Sequence, residues 1–199
     1  MKISGVLHEM MVLERNFYHR NTLEVARDLL GKKLVRRFHE SDLSGMIIET
    51  EAYCGQEDSA CHAHRGKTQR NAVMFGPPGC SYVYFTYGMH YLLNLVTENE
   101  GNPCAVLIRA IIPLTGIAEM EARRKSRGKN LTNGPAKLCQ ALAIDRSFNG
   151  WDLTTGVQLW VENCQIIPAD KILATPRIGI DYARREDREA LWRFLISPV

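Results

Sequence analysis

Two hydrophobic periods alternate along the chain, and the switches between them mark its elements. Leu23, Ala26, Leu29 and Leu30 recur at helical spacing behind Asn21, a good cap, with Glu24 three residues on and Gly31 at the end. This predicts a helix over residues 21–30. Residues 32–38 and 45–53 are rich in branched and aromatic side chains and predict strands. Residues 81–97 are dense in Tyr, Val, Phe and Leu around Gly88, the pattern of a β-hairpin with Tyr87, Gly88 and Met89 at its tip. Residues 105–112 predict a strand ended by Pro113, and Thr115 a cap for a helix running toward Arg124. Pro135 opens a further helix to Ile144, and residues 158–162 and 177–180 predict short strands. Strands dominate without a repeating strand–helix–strand rhythm. The expected class is therefore α+β: one compact domain over residues 1–199, on a mixed or antiparallel curved sheet with a protruding hairpin. Residues 1–14 are expected to be flexible.

Composition narrows the class without changing it. The chain has 199 residues, enough to bury a core without disulfides or metals. Hydrophobic residues at 45% and charged residues at 24% exclude disordered and fibrous classes. The longest apolar stretch, residues 104–114, is broken by Arg109 and too short to span a bilayer. His8, Glu9, Glu14 and Arg15 interrupt the N-terminal region, so no signal peptide is expected. The expected location is intracellular, either the cytoplasm and bacterial nucleoid or a eukaryotic nucleus. A net charge of +3 permits a nucleic-acid partner without requiring one. The basic residues cluster in two segments: Arg65, Lys67 and Arg70, and Arg123, Arg124, Lys125, Arg127 and Lys129. Phosphate contact and plain solvation both explain such runs.

Candidate chemistry begins on one strand. Alternation puts Ile48, Thr50 and Ala52 on one face and Glu49, Glu51 and Tyr53 on the other. A carboxylate serving as a general base needs partial desolvation and a positive partner. Arg109 interrupts an apolar strand and requires a carboxylate of its own, for which Glu51 and Glu49 are the candidates. Tyr53, Tyr84 and His62 can stack on an extruded base, and the Tyr87 tip suits a wedge between base steps. Six cysteines without C-x-x-C spacing are expected to be buried thiols. On the residues alone two other readings stay open. One is a nucleic-acid-binding module without catalysis; the other is a zinc hydrolase using His62, His64 and a cysteine.

The residues fall into an ordered set. It comprises Glu49-Thr50-Glu51-Ala52-Tyr53, Glu57-Asp58, His62, Arg70-Asn71, Met74-Phe75, Tyr82-Val83-Tyr84, Tyr87-Gly88-Met89, Asn94, Arg109 and Gly134-Pro135-Ala136-Lys137-Leu138-Cys139-Gln140-Ala141-Leu142. From about Arg15 to the C-terminus this set resembles the alkyladenine (3-methyladenine) DNA glycosylase family of the mammalian type. The resemblance implies that Glu51 activates the attacking water and that Arg109 and the backbone carbonyl of Ile178 help hold it. It implies a base pocket walled by Tyr53, His62 and Tyr84, and an Asn94 amide that rejects guanine. It implies that Tyr87 fills the gap left by a flipped nucleotide, flanked by Met89 and His90. His90 stands where relatives can carry tyrosine, and Gln69 where proline is frequent before Arg70. The implied activity is monofunctional excision of 3-methyladenine and 7-methylguanine, with hypoxanthine and ethenoadenine as further candidates, initiating base excision repair. The implied partner is double-stranded DNA bearing alkylated or deaminated purines, bound by a monomer without metal or cofactor. The implied fold is like the C-terminal domain of formyltransferases.

Overall fold

The structure, a computed structural model, describes residues 12–197. Its strands are β1 (Lys33–Phe38), β2 (Ser41–Cys54), β3 (Ser81–Thr86), β4 (His90–Thr97), β5 (Cys104–Thr115), β6 (Leu159–Glu162), β7 (Ile172–Thr175) and β8 (Arg193–Ile196). They form one sheet in the order β3-β4-β5-β2-β1-β6, with β8 paired to both β2 and β7. Every one of these pairs is antiparallel. Strand β2 is the spine. Its first half pairs with β1, its second half with β8, and β5 runs along the other edge of both halves.

Helices α1 (Arg15–Tyr18), α2 (Thr22–Asp28), α3 (Ile117–Arg124), α4 (Pro135–Ala141) and α5 (Arg185–Glu189) are short and rely on packing. Helix α2 starts as its sequence predicts, with the Asn21 side chain accepting from the Leu23 N–H. It lies on β2 and β5, burying Val25 and Ala26, and the Thr50 hydroxyl donates to the Ala26 carbonyl at 2.8 Å. Helix α4 packs on β4 and β5. It stops short of Ile144 because Ala143 turns into the left-handed region at φ +52°.

Three further expectations are corrected. Pro113 does not end β5, which runs on to Thr115. There Ser44–Gly45 is one step on β2 and Pro113–Thr115 two on β5, so Leu114 is a bulge residue. A proline, lacking an N–H, is tolerated beside a bulge. Thr115 does not cap α3; the cap is Gly116 at φ +72°, where a Cβ would sit 2.4 Å from Leu43 Cδ2. Residues 177–180 are not a strand but a bend beside the site. Two strands the hydrophobic pattern did not announce, β7 and β8, complete the sheet edge. Of residues 1–14, residues 1–11 lie outside the described residues, while Val12 bridges to Glu162 and the Leu13 N–H donates to Val161.

Alternation then divides the sheet's two faces. Leu93, Leu95, Val106 and Ile108 join α2 and α4 in the main core. The intervening positions, Asn94, Leu107 and Arg109, line a cleft on the opposite face. A second apolar cluster of Cys61, Ala63, Met74, Tyr82, Val96 and Ala105 supports that cleft from below.

Candidate active site

A second bulge decides where the chemistry points. Ile47 pairs with Ile111, Glu49 with Ala110 and Thr50 with Ile108. Ile48 is thus extra on β2 and Arg109 extra on β5. Simple alternation would put Ile47 on the same face as Glu49 and Glu51. The bulge at Ile48 reverses the parity, so Ile47 enters the core and Glu51 turns toward Arg109, Tyr53 and Ile178, which line the cleft. The bulge at Arg109 aims its guanidinium between the two carboxylates. Nε donates to Glu49 Oε1 at 2.9 Å, and Nη1 lies 3.1 Å from Glu51 Oε2. Glu49 is shared with Arg193, whose Nε donates to the same oxygen at 2.6 Å. Two anions and two cations therefore balance. Burial opposes the charge on Arg109, but Glu51 and Glu49 outweigh it and raise its pKa.

Glu51 is fully buried. Its Oε1 accepts the Ile178 backbone N–H at 2.8 Å, and its Oε2 accepts the Tyr53 hydroxyl at 3.0 Å beside Arg109. Burial, then the Glu51 charge, raises the Tyr53 pKa well above its ordinary value, which keeps the phenol protonated as a donor. Three donors from three chain segments thus fix one carboxylate. The contact from residue 178 is its N–H.

Above this floor lies a cleft of about 810 Å³. Tyr53, His62, Tyr82, Tyr84 and Asn94 contribute to its walls. His62 and Tyr84 meet edge to face with ring centroids 4.5 Å apart, and His62 Nδ1 is 3.0 Å from the Tyr82 hydroxyl. Desolvation against these rings, then the nearby Arg70 cation, lowers the His62 pKa to about 4, so its imidazole is neutral at physiological pH. Burial pushes the Tyr82 hydroxyl up to about 12 and Tyr84 higher still. Asn94 is anchored by its amide N–H donating to the Tyr82 carbonyl at 3.1 Å, which leaves its side-chain oxygen to accept. The cleft is lined by Arg65, Arg70, Arg109 and Arg184 but by no lysine among the described residues.

At the mouth, β3 and β4 join through Tyr87 (φ +51°) and Gly88 (φ +68°), and the Met89 N–H donates to the Thr86 carbonyl. Tyr87 is 86% exposed and Met89 68%. His90 opens β4 opposite Thr86, half-buried. All ten candidate residues therefore sit in or around one site: Glu51, Arg109 and Ile178 on the floor, Tyr53, His62, Tyr84 and Asn94 in the walls, and Tyr87, Met89 and His90 at the tip. The basic run near α3 is largely engaged elsewhere. Arg123 pairs with Glu119, and Arg124 with Gln140 and the carbonyls of Leu131 and Asn130. His64 Nδ1 contacts the Gln56 carbonyl, and among the described residues no three His, Cys, Asp or Glu side chains cluster as a metal site.

Sequence reasoning missed two participants. Arg193 braces Glu49 from β8, a strand too short and mixed to announce itself. Arg177 forms a fully buried pair with Asp58, although its neighbour Ile178 and the acid itself were both in view. An arginine beside apolar residues, like Arg109, was the signal available for each.

Known proteins resemble this chain along most of its length. Residues 16–198 match the family model described as methylpurine-DNA glycosylase (MPG). A protein of Methanocella arvoryzae named "Putative 3-methyladenine DNA glycosylase" is 52% identical over 187 residues, 93% of this chain and 92% of its own. Proteins of the same name are 52% identical in Carboxydothermus hydrogenoformans (86% of this chain, 90% of that one) and 46% identical in Clostridium perfringens (94% and 96%). No described helix is long and apolar enough to cross a membrane. The chain belongs to the methylpurine-DNA glycosylase family and is accordingly a DNA glycosylase, a hydrolase acting on DNA.

Proposed function

We propose that this glycosylase flips alkylated purines, 3-methyladenine and 7-methylguanine first, out of duplex DNA and hydrolyses their N-glycosidic bond with water activated by Glu51. The observation that carries the reading is a fully buried carboxylate on the floor of an aromatic cleft, held by three donors. Tyr87 occupies the minor groove where the nucleotide has left, with Met89 and His90 beside it. The flipped base stacks among Tyr53, Tyr84 and His62. N-alkylated purines carry positive charge, which the ring faces attract and which makes the base a better leaving group. A neutral His62 adds no repulsion. The Asn94 side chain leaves room for an adenine edge but crowds the exocyclic amine shared by guanine and 7-methylguanine. The cationic ring of 7-methylguanine offsets this as the better leaving group, and unmodified guanine has no such compensation.

The reaction balances as a hydrolysis. Glu51 takes a proton from water, and the water oxygen bonds to C1′ as the C1′–N bond breaks. The bonding pair departs with the base, whose positive charge it cancels. Arg109 and the Ile178 carbonyl orient the water. Neutral lesions such as hypoxanthine and ethenoadenine must gain a proton on leaving and turn over more slowly. A strand-cleaving route would need an amine nucleophile, and no lysine lines the cleft among the described residues, so the product is an intact abasic strand. The enzyme acts as an intracellular monomer on damaged double-stranded DNA. Release of free base from duplex DNA treated with dimethyl sulfate tests the reading. Glu51→Gln should bind that DNA and release base at least roughly 100-fold more slowly; full excision by it would overturn the assignment.

A further inference from the structure

Arg177 and Asp58 have no part in the chemistry above, yet they are among the most constrained charges in the molecule. Both side chains are fully buried, and the residues are 119 positions apart. Arg177 Nη1 donates to Asp58 Oδ2 at 2.5 Å and Nη2 to Oδ1 at 2.8 Å. The same guanidinium donates to the carbonyls of Ala52 at 2.9 Å and Asp187 at 3.2 Å. The rings of Tyr53 and Trp192 flank it at 4.7 and 4.8 Å. Asp58 also accepts the backbone N–H groups of Cys54 and Ala60, tying in the loop that carries His62. Burying two such charges is a poor source of net stability. What the pair does supply is geometry. Residue 178, next in the chain, donates its N–H to Glu51 Oε1, and Tyr53, stacked on the guanidinium, donates its hydroxyl to Oε2.

We infer that the Arg177–Asp58 pair is a positioning device for the Glu51 carboxylate, setting two of its three donors through one buried guanidinium. The pair touches neither water nor base; it acts through Tyr53 and Ile178. Arg177 locks the 177–178 backbone to the end of β2 through Ala52, and at the same time it fixes the plane of the Tyr53 ring. A lysine would keep the charge but could not reach Asp58 and both carbonyls while stacking between two rings. The inference rests on the reading of Glu51 as the water-activating group.

The test is single-turnover excision from dimethyl sulfate-treated duplex DNA at increasing enzyme concentration, with melting temperature measured alongside. Asp58→Asn should lower the rate constant at saturation roughly 10- to 100-fold, with the half-saturating concentration held within about three-fold. Arg177→Lys, which keeps the charge but cannot keep the contacts to both carbonyls and both rings, should lower the saturating rate by a similar factor. A purely structural pair would lower the melting temperature and the reacting fraction while the folded molecules kept the wild-type rate constant; that result overturns the proposal. If neither charged variant folds, Trp192→Leu frees one face of the guanidinium without removing a charge. It too must lower the saturating rate, and a wild-type rate overturns the proposal. Glu51→Gln separates the two readings. If it remains active, the role of Glu51 fails. If it is inactive while Asp58→Asn or Trp192→Leu runs at the wild-type rate, only the positioning role fails.

Discussion

The floor of the cleft and the tip between β3 and β4 are built on opposite terms. On the floor, Glu51 and Asp58 are buried and every oxygen of theirs is engaged, by donors from β2, β5, the 55–64 loop and the 177–178 bend. At the tip, Tyr87 and Met89 stand in solvent, and Tyr87 holds a left-handed backbone that non-glycine residues adopt only at some energetic cost. The floor is complete in the free protein. The tip presents large apolar side chains that nothing among the described residues covers. Preorganised charge suits a transition state, where reorganisation is costly. An exposed wedge suits a duplex that must be opened first. Substitutions on the floor should therefore damage rate or stability, and those at the tip binding alone.

The largest expected effect is at Glu51. Its replacement by Gln should lower excision roughly 10²- to 10⁴-fold, the usual span for a general base, while the Kd for damaged duplex stays near the wild-type value. An equal loss of affinity would mean that floor and tip are not separable. Next comes Asp58→Ala, which strands the buried Arg177 cation and should cost about 3–5 kcal/mol of unfolding free energy by denaturant titration. A change below about 1 kcal/mol would show that water reaches the pair. Tyr87→Ala should leave unfolding free energy within about 0.5 kcal/mol, because the ring packs against little, while weakening base release roughly ten-fold at subsaturating enzyme. Loss of stability instead would make the tip part of the core.

The smallest effect concerns pH. The His62 pKa is lowered in the folded protein to about 4 from an ordinary value of 6.5. Above pH 6.5 the imidazole is neutral in both states and contributes nothing to pH dependence. Between pH 6.5 and 4 the unfolded chain binds the proton and the folded chain does not, so stability falls as pH falls. His62→Phe should flatten the fall in melting temperature across that window. An unchanged slope would place the responsible titration elsewhere.

The site was legible in part because strand alternation is local. Glu49, Glu51 and Tyr53 do share a face, and Arg109 does pair with both acids. Other expectations failed for identifiable reasons. The pattern carried no sign that β2 inserts Ile48 and β5 inserts Arg109 and Leu114, since a bulge depends on two strands at once. Residues 177–180 read as a strand because Ile178 and Ile180 alternate, yet buried Arg177 and Gly179 at φ +76° make a bend. The Thr115 cap failed because Thr115 stayed in the sheet, donating its hydroxyl to the Asp42 carbonyl.

By itself the sequence determined the helix start at Asn21, a strand-rich α+β class, the shared face of Glu49, Glu51 and Tyr53 on β2 and the ordered motifs of the family. Each depends on residues near one another in the chain, where periodicity, capping and turn chemistry act. Only the tertiary structure decided which acid Arg109 holds with which nitrogen, that Arg193 shares Glu49, and that Arg177 and Asp58 meet beneath Tyr53. Those contacts join segments far apart in the chain. Their geometry follows from how the eight described strands pack into one sheet over a core, which no local pattern encodes.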